Sequence, residues 1–429
     1  MEPLPTSPLL VLLFGAAPTI PALLTSSPPT PSHCLPLLLL PAIYSAVLFV
    51  FLTGWHEYPL LSRLLPYPLL CLFLYATLSS SMSANPDAIN GAVFYALITL
   101  TSYYSCAVLY NDIVLGPAPT TASDSSLKSR VYLVTGGNAG IGYSTAVQLL
   151  RREATVVILS RSLARGNKAA TAMLQECPSS SPSSIHVIVC DLCSYPSIRA
   201  AAASFSDLSL PLHSVILNAG VMLNDRDVTA AGDEATVAAN HLGHFLLTSL
   251  LLPHMKQKNT RAVHDARIVT VGSSTHFMAN KTGVFLDDLR CERRNYTLFG
   301  QYSQSKLMNV MFSGELARRL ENNGHINIKA YCVHPGLVRT NVHQNMNNVI
   351  VMLHNIFSVV LVVLMKPQEY GAVSSVMCAT DVSVEGESGK YYFNGERRAQ
   401  SKWADDADAG EKLWRVSEKA VGLKKGEFL

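Results

Sequence analysis

Two polar side chains four residues apart could carry out proton-transfer chemistry. Tyr302 and Lys306 stand in the stretch YSQSK, and residues i and i+4 of a helix share one face. A lysine ammonium there favours the phenolate, which lowers the tyrosine pKa from about 10 toward the working range. Such a tyrosine exchanges a proton with an alcohol or carbonyl oxygen, and Ser273, at the end of a predicted strand, could hydrogen-bond the same oxygen. Alone, such a pair is more typical of an exposed helix surface, so the surrounding sequence must show whether it is catalytic.

A glycine-rich stretch supplies that context. Residues 134–146 read VTGGNAGIGYSTA, after the short apolar strand RVYLV and before a predicted helix over 143–150. Glycine at 136, 140 and 142 would let backbone N–H groups approach a pyrophosphate at the helix N-terminus. A glycine loop by itself is weak evidence. The flanking strand and helix turn it into a predicted dinucleotide half-site.

The next strand indicates which dinucleotide. Ala154 to Leu159 reads ATVVIL and is followed by Ser160, Arg161 and Ser162, and no acidic residue occurs between positions 154 and 175. An acid here would take the ribose 2′-hydroxyl of NAD, whereas an arginine suits the 2′-phosphate of NADP. The alternative is that Arg161 is a solvated surface residue. The sequence predicts NADP(H), with NAD(H) as the alternative.

Further strands alternate with helices and end at polar or glycine-containing turns. Strands are predicted over 185–190, 214–217, 266–271 and 326–333, a last one near 389–393, and a long helix over 237–252. Alternation of this kind predicts an α/β fold with a doubly wound parallel (Rossmann) sheet. Ligands bind at the carboxyl ends of such strands, where the sequence places Asp191-Leu192, Asn218-Ala219-Gly220, Gly272-Ser273-Ser274 and His334-Pro335-Gly336.

Composition limits the classes of function. The chain has 429 residues, of which 49% are hydrophobic and 15% charged, with a formal net charge of +3. That charge is too small to indicate nucleic-acid binding, and no basic run changes this. The nine cysteines are scattered, so they suit a reducing compartment and not a disulfide framework.

The apolar excess lies in the N-terminal quarter. Positions 1–115 hold only five charged residues, and residues 35–53 (LPLLLLPAIYSAVLFVFLT) are long enough to cross a hydrocarbon core of about 30 Å. Further apolar runs cover 64–78 and 88–110, and a weaker one, broken by two prolines, covers 9–24. We predict about three membrane spans, or four, in a membrane-anchoring region 1–116. A signal peptide is the alternative for the first run, although it lacks a basic start, and a buried helical domain is the alternative for the rest.

Charges flanking the spans predict their orientation. Arg63 lies between the first two strong spans, and Lys128 and Arg130 follow the third, so the positive-inside rule places them on the cytoplasmic side. Residues 117–128 begin PAPTTASDSS and read as a flexible linker. The catalytic domain then covers 129–400 and a polar C-terminal helix 401–429. We expect an integral membrane protein of the endoplasmic reticulum with its catalytic domain in the cytoplasm.

Taken together, these motifs identify a family. The motifs occur in the same order as in the short-chain dehydrogenases/reductases, which the sequence resembles over roughly 129–393. Within that family it is most similar to the retinol-dehydrogenase-like branch. The stretches VAANHLGHFLLTSLL and ARIVTVGSSTH, and the long gap between Ser273 and Tyr302, point to that branch. Two departures stand out: Leu217 precedes Asn218 where the family often has asparagine, and the shifted serine pair favours Ser273 while leaving Ser274 open.

The resemblance implies a role for each matching residue. Tyr302 would be the general acid/base, Lys306 would bind the nicotinamide ribose and tune Tyr302, Ser273 would steady the reacting oxygen, and Asn240 would hold a water in the proton relay. Asp191 would meet the adenine. The expected cofactor-binding set is Gly136, Asn138, Gly140, Ile141, Gly142, Arg161, Asp191, Leu192, Asn218, Ala219, Gly220, Tyr302, Lys306, Pro335 and Gly336. No metal site is expected.

Other constellations carry less weight. Cys190 and Cys193 have CxxC spacing but lack a second ligand pair, so a structural role is favoured. His241 and His244 lie three apart without a nearby glutamate or cysteine to complete a metal site, so a structural or a loosely cofactor-facing role is favoured. Three arginines at 290, 293 and 294 read as solvated, with a headgroup contact as the alternative. Residues 347–365 end in IFSVVLVVLM and read as a membrane-dipping substrate lid, with a further span as the alternative.

The sequence thus predicts a membrane-anchored oxidoreductase that interconverts an alcohol and an aldehyde or ketone. A membrane anchor favours a lipophilic substrate, and the resemblance suggests a retinoid or a polyprenol- or dolichol-type isoprenoid. A sterol or fatty aldehyde is the second substrate hypothesis. An idle NADP(H)-binding membrane scaffold is the hypothesis from another class, and the intact Asn240, Ser273, Tyr302 and Lys306 count against it. A homodimer is compatible with the sequence.

Overall fold

The predicted strands form one eight-stranded sheet in a computed structural model of the chain, which describes residues 125–256, 266–279, 283–338 and 366–429. The predicted membrane-anchoring region, most of the linker, Asn280 and the predicted lid over 347–365 lie outside the described residues. The strands are β1 (Val131–Thr135), β2 (Thr155–Ser160), β3 (Ile185–Val189), β4 (Ser214–Leu217), β5 (Ala266–Val271), β6 (Ile328–His334), β7 (Lys390–Phe393) and β8 (Glu396–Arg398).

Strand order confirms the predicted doubly wound sheet. The order is β3-β2-β1-β4-β5-β6-β7-β8, with every pair parallel except the antiparallel β7–β8 pair. The direction of winding reverses between β1 and β4, and open α/β sheets bind ligands in the crevice at such a reversal. The sequence did not predict the short edge strand β8.

Helices cover both faces of this sheet. They are α1 (Gly140–Arg151), α2 (Leu163–Glu176), α3 (Tyr195–Asp207), α4 (Ala235–Val237), α5 (Gly243–Lys256), α6 (Leu298–Asn322), α7 (Gln368–Thr380), α8 (Lys402–Asp405) and α9 (Ala407–Ala420). Side chains of a strand alternate between faces, so in β1 Val131 and Leu133 face one apolar core while Tyr132 and Val134 face the other. The first core also contains side chains of α3, α5 and α6, and the second contains those of α1, α2 and α7.

The predicted long helix is interrupted by a wider turn. Residues Ala238–Leu242 form a π-helical turn between α4 and α5, and such turns commonly re-aim side chains at functional sites. Among the described residues, the continuous helical stretch Ala235–Met255 is apolar and long enough to span a bilayer, yet 89% of its most apolar window is buried inside the domain. It is therefore a core helix of the α/β domain.

The C-terminal helix contributes to the same core. Trp414 of α9 is only 2% exposed, with its ring centroid 4.9 Å from that of Phe245 and 4.7 Å from that of Phe428. The Arg319 guanidinium carbon lies 4.4 Å from the Trp414 ring centroid. The outward-facing residues of α9 account for the polar character of its sequence, while its inner side stabilises α5 and α6.

Candidate active site

The glycine loop joins β1 to α1 through backbone conformations that favour glycine. Gly136 has φ +65° and Gly140 φ +59°, in the left-handed region where side chains are strained. A Cβ at Gly142 would lie 2.5 Å from both the Gly136 carbonyl oxygen and Asn218 Nδ2. The loop therefore closes against β4 only because these positions lack side chains.

The N-terminus of α1 is open to an anion. Ala139, the residue before α1, provides no side-chain cap, so the first-turn N–H groups point outward without a side-chain acceptor from it. Such N–H groups and the positive end of the helix dipole suit a phosphate. The loop and helix together fit the pyrophosphate of a dinucleotide.

A hydrogen-bond chain ties this loop to the middle of the domain. Asn218 Nδ2 donates to the Thr135 carbonyl at 2.9 Å, and the Ala219 N–H donates to Thr135 Oγ1 at 2.9 Å. Thr135 Oγ1 lies 2.9 Å from His244 Nε2, and His244 Nδ1 lies 3.1 Å from the Asn240 carbonyl. A carbonyl only accepts, so Nδ1 carries the proton and Nε2 accepts from Thr135. Burial lowers the pKa of His244 to about 3, which keeps the ring neutral in this role.

Asn240 lies in the π-helical turn and is completely buried. Its Oδ1 accepts from the Val221 N–H at 2.7 Å, and its Nδ2 donates to the Val221 carbonyl and to Ser305 Oγ, both at 2.9 Å. A Cβ at Gly220 would lie 3.4 Å from Asn240 Oδ1 and 3.5 Å from Lys306 Nζ. The turn thus places Asn240 beside the predicted catalytic helix.

Tyr302 and Lys306 share one face of α6, as predicted from their spacing. Lys306 Nζ lies 5.5 Å from the centre of the Tyr302 ring and donates to the Val271 carbonyl, at the end of β5, at 2.9 Å. Lys306 is 3% exposed. The ammonium is therefore fixed against the sheet and not extended into solvent.

Ser273 is the serine that meets Tyr302. It is buried, and its hydroxyl lies close enough to that of Tyr302 to lower the pKa of the phenol, whereas Ser274 is exposed. Ser273 Oγ also accepts from the Thr275 N–H at 3.2 Å, so its own hydroxyl proton remains available to an acceptor in the site. His276 Nδ1 donates to the Ser273 carbonyl at 2.6 Å and so holds the backbone of this turn.

Burial dominates the electrostatics of the pair. It raises the pKa of Tyr302 to about 12, against a smaller lowering by the Ser273 hydrogen bond, and it lowers the pKa of Lys306 to about 8. The expectation that Lys306 brings the pKa of Tyr302 below its ordinary value is wrong for the protein alone. Desolvation of the buried Lys306 and the half-buried Tyr302 disfavours either charge, so Tyr302 is held as a neutral phenol.

Residues predicted to contact the adenosine half lie along the other side of the crevice. Arg161 is exposed directly after β2, and Asp191 follows β3 with its Oδ1 accepting from the Cys193 N–H at 3.0 Å. Burial raises the pKa of Cys190 to about 12 and that of Cys193 to about 11, so both stay protonated. Leu192 is 8% exposed and Asn138 half-buried.

The Pro335-Gly336 turn follows β6 and contacts a buried lysine that the sequence did not single out. Gly336 has φ +85°, and a Cβ there would lie 2.6 Å from Lys366 Cε. Lys366 Nζ donates to Asn394 Oδ1 at 2.8 Å, and burial lowers its pKa to about 8. Its position before α7 has no sequence signal beyond a lysine at the end of an apolar run.

His241 and Arg290, for which the sequence favoured roles outside catalysis, have structural partners. His241 Nε2 lies 2.8 Å from Ser417 Oγ of α9, away from the crevice, and Arg290 forms an ion pair with Asp233. Across the described ranges, no cluster of three histidine, cysteine or acidic residues could hold a metal.

Comparisons with known proteins agree with this geometry. A family model described as short chain dehydrogenase matches residues 130–285. Retinol dehydrogenase 12 of Mus musculus is 34% identical over 336 residues, covering 77% of this chain and 99% of that protein. The chloroplastic short-chain dehydrogenase TIC 32 B of Brassica napus is 34% identical over 296 residues, covering 68% of this chain and 89% of its own length.

A solved structure extends the agreement to the backbone. An uncharacterized protein of Mycobacterium paratuberculosis superposes with a TM-score of 0.55 at 30% identity, covering 72% of this chain and 99% of that one. Because a full-length relative exceeds 30% identity and the sheet carries the glycine loop and the Tyr302–Lys306 pair at its carboxyl edge, this chain belongs to the short-chain dehydrogenase/reductase family of nicotinamide-dependent oxidoreductases, with the retinol dehydrogenases among its relatives.

Proposed function

We propose that this protein is a membrane-anchored, NADPH-preferring oxidoreductase that interconverts an alcohol and an aldehyde or ketone on a lipophilic substrate. The observation that carries the proposal is the grouping of Ser273 and Tyr302 beside the buried Lys306 at the carboxyl edge of the sheet. Two neighbouring hydroxyls can hold and protonate a single substrate oxygen.

The residues of the crevice fit a nicotinamide dinucleotide. Gly136, Gly140 and Gly142 leave room for the pyrophosphate, because a Cβ at Gly142 would fill the space against Asn218. Asp191 would contact the adenine, and Asn218, Ala219 and the Pro335-Gly336 turn would border the remaining cofactor. When bound, the nicotinamide supplies or accepts the hydride at the substrate carbon.

The protein's own part of the chemistry is to move a proton. In reduction, the Tyr302 hydroxyl gives its proton to the substrate oxygen while the Ser273 hydroxyl donates a hydrogen bond to the same atom. The phenolate left behind is costly in a buried site, so the Lys306 ammonium stabilises it. Asn240 bonds Val221, which follows β4, and Ser305 of α6, and its place beside Lys306 supports a role in returning the proton.

Arg161 is the residue that supports a preference for NADPH over NADH. It stands exposed at the end of β2, where the family fold places the adenosine ribose, and no acid competes with it between positions 154 and 175. An arginine pairs well with a phosphate through charge-assisted hydrogen bonds.

The lipophilic substrate and the membrane anchor rest on other observations. Positions 1–115 are nearly free of charge, and a relative over most of the chain is named retinol dehydrogenase 12. A substrate dissolved in a bilayer reaches an enzyme best when that enzyme is held at the membrane. We therefore propose a retinoid or a polyprenol- or dolichol-type isoprenoid, acted on at the cytoplasmic face of the endoplasmic reticulum.

The first prediction concerns the proton donor. Tyr302→Phe keeps the ring and removes the proton, so the turnover number for reduction of a retinoid or polyprenyl aldehyde should fall at least about 100-fold, while NADPH binding, measured by fluorescence titration, is retained. Tyr392→Phe is the control, since its hydroxyl bonds Glu387 at 2.6 Å outside the site. Near-normal turnover by Tyr302→Phe would refute the mechanism.

The second prediction concerns cofactor choice. Arg161→Asp exchanges an attraction for a repulsion at the 2′-phosphate, so the Kd for NADPH should rise at least about tenfold while that for NADH changes little. Arg199→Asp, an exposed residue of α3, makes the same change of net charge and should leave both constants unaltered. An equal loss for the two cofactors in Arg161→Asp would show that Arg161 does not bind the phosphate.

The third prediction concerns topology. Asn280-Lys281-Thr282 and Asn295-Tyr296-Thr297 are glycosylation sequons, and Asn295 is exposed. With the domain in the cytoplasm, endoglycosidase should not shift the full-length protein on a gel, and protease added to sealed microsomes should digest the domain. A shift that disappears in the Asn280→Gln, Asn295→Gln double variant would instead place the domain in the lumen.

A further inference from the structure

A fully buried carboxylate lies at the start of the helical stretch that carries Asn240. Glu234 is 0% exposed, and its side chain accepts from the Thr236 N–H at 2.8 Å and the Val237 N–H at 2.9 Å, capping α4. Its Oε2 also accepts from Gln301 Nε2 at 2.7 Å. The cap therefore has a third bond, to the helix of Tyr302.

Gln301 immediately precedes Tyr302 and is itself buried, at 1% exposure. Its amide is held at both ends, because its Oε1 accepts from Arg294 Nη2 at 2.8 Å. Arg294 belongs to the segment between Ser273 and Tyr302, where it forms an ion pair with Asp288 at 3.3 Å. A positive group on one side of the amide and a carboxylate on the other polarise both hydrogen bonds in the same sense.

Two ties consequently join the helix of Asn240 to that of Tyr302. Gln301 and Ser305 are four residues apart on α6 and bond Glu234 and Asn240 respectively. Tyr302 and Lys306 occupy the next positions along the same helix, so each tie is adjacent in sequence to one of them. Glu234 lies just before α4, and Asn240 lies within the π-helical turn that follows α4.

We propose that Glu234 and Gln301 are positioning residues that set the register of Tyr302 and Lys306 against Asn240, and that Arg294 couples the segment 283–296 to this register. The inference rests on the proposed function for its kinetic readout only. Neither side chain touches the reacting atoms. Their effect is on the proton-transfer step, because a small misplacement of a catalytic group reduces the rate steeply.

Gln304 offers a matched control on the same helix. It is also a buried glutamine, at 3% exposure, and it bonds the segment 283–296. Its Nε2 donates to the Gly283 carbonyl at 2.8 Å, and its Oε1 accepts from the Phe285 N–H at 3.1 Å. It makes none of its bonds to Glu234. Gln301→Met and Gln304→Met thus remove one buried amide each from α6, and only the first cuts the tie to the helix of Asn240.

The test compares these variants in the full-length protein by two measurements. In Gln301→Met, hydrogen exchange of the peptide covering 235–242 should become about tenfold faster. In Gln304→Met, exchange should become faster over 283–286 instead. In Gln301→Met, kcat for aldehyde reduction should fall about 10- to 100-fold with a larger solvent deuterium isotope effect, while the Kd for NADPH changes less than about twofold. Glu234→Gln, which keeps the volume and offers one acceptor oxygen in place of two, should show the same pattern and replaces Gln301→Met if that variant does not fold.

Each outcome decides a separate point. Equal rates of hydrogen exchange over 235–242 in Gln301→Met and Gln304→Met overturn the proposal. If the wild type is active, a normal kcat in Gln301→Met overturns it as well. A wild type without turnover on lipid aldehydes overturns the proposed function, and the exchange measurement, made without substrate, then still decides the positioning role.

Discussion

Desolvation of two neighbouring ionisable groups is the constraint on which the site depends. Lys306 is buried and Tyr302 is half-buried, and the loss of water moves each toward its neutral form. A phenol held neutral is a proton donor at ordinary pH, and a lysine that titrates at about 8 supplies a positive charge over the range where an enzyme works. Because a lone phenolate is costly in such a site, the proposed proton donation by Tyr302 depends on that charge.

The scaffold keeps these groups in place through bonds to the sheet. Lys306 is fixed to the Val271 carbonyl at the end of β5, and Asn240 is fixed to Val221 after β4. The chain from Ala219 through Thr135 and His244 to the Asn240 carbonyl then joins the glycine loop to the same helix. The glycine loop and the helix of Tyr302 are therefore parts of one hydrogen-bonded unit, which is anchored at the carboxyl edge of the sheet.

Local patterns made much of this predictable from the sequence. The strands follow from short apolar runs, the glycine loop from its spacing, and the shared face of Tyr302 and Lys306 from helical periodicity. The roles of His244 and Glu234 did not follow, because their partners Thr135 and Gln301 lie 109 and 67 residues away along the chain. The π-helical turn and the raised pKa of Tyr302 were missed for a related reason: each depends on how completely neighbouring elements enclose the site, which no local pattern encodes.

The pH dependence of aldehyde reduction in a single turnover, with NADPH saturating, tests the central claim most directly. If the Lys306 ammonium stabilises the phenolate that Tyr302 leaves behind, the rate falls as the pH rises through about 8, where Lys306 loses its proton. Lys366 titrates in the same range, so Lys366→Met must keep the same midpoint. A rate that does not change across this range, or a midpoint that disappears in Lys366→Met, would contradict the account.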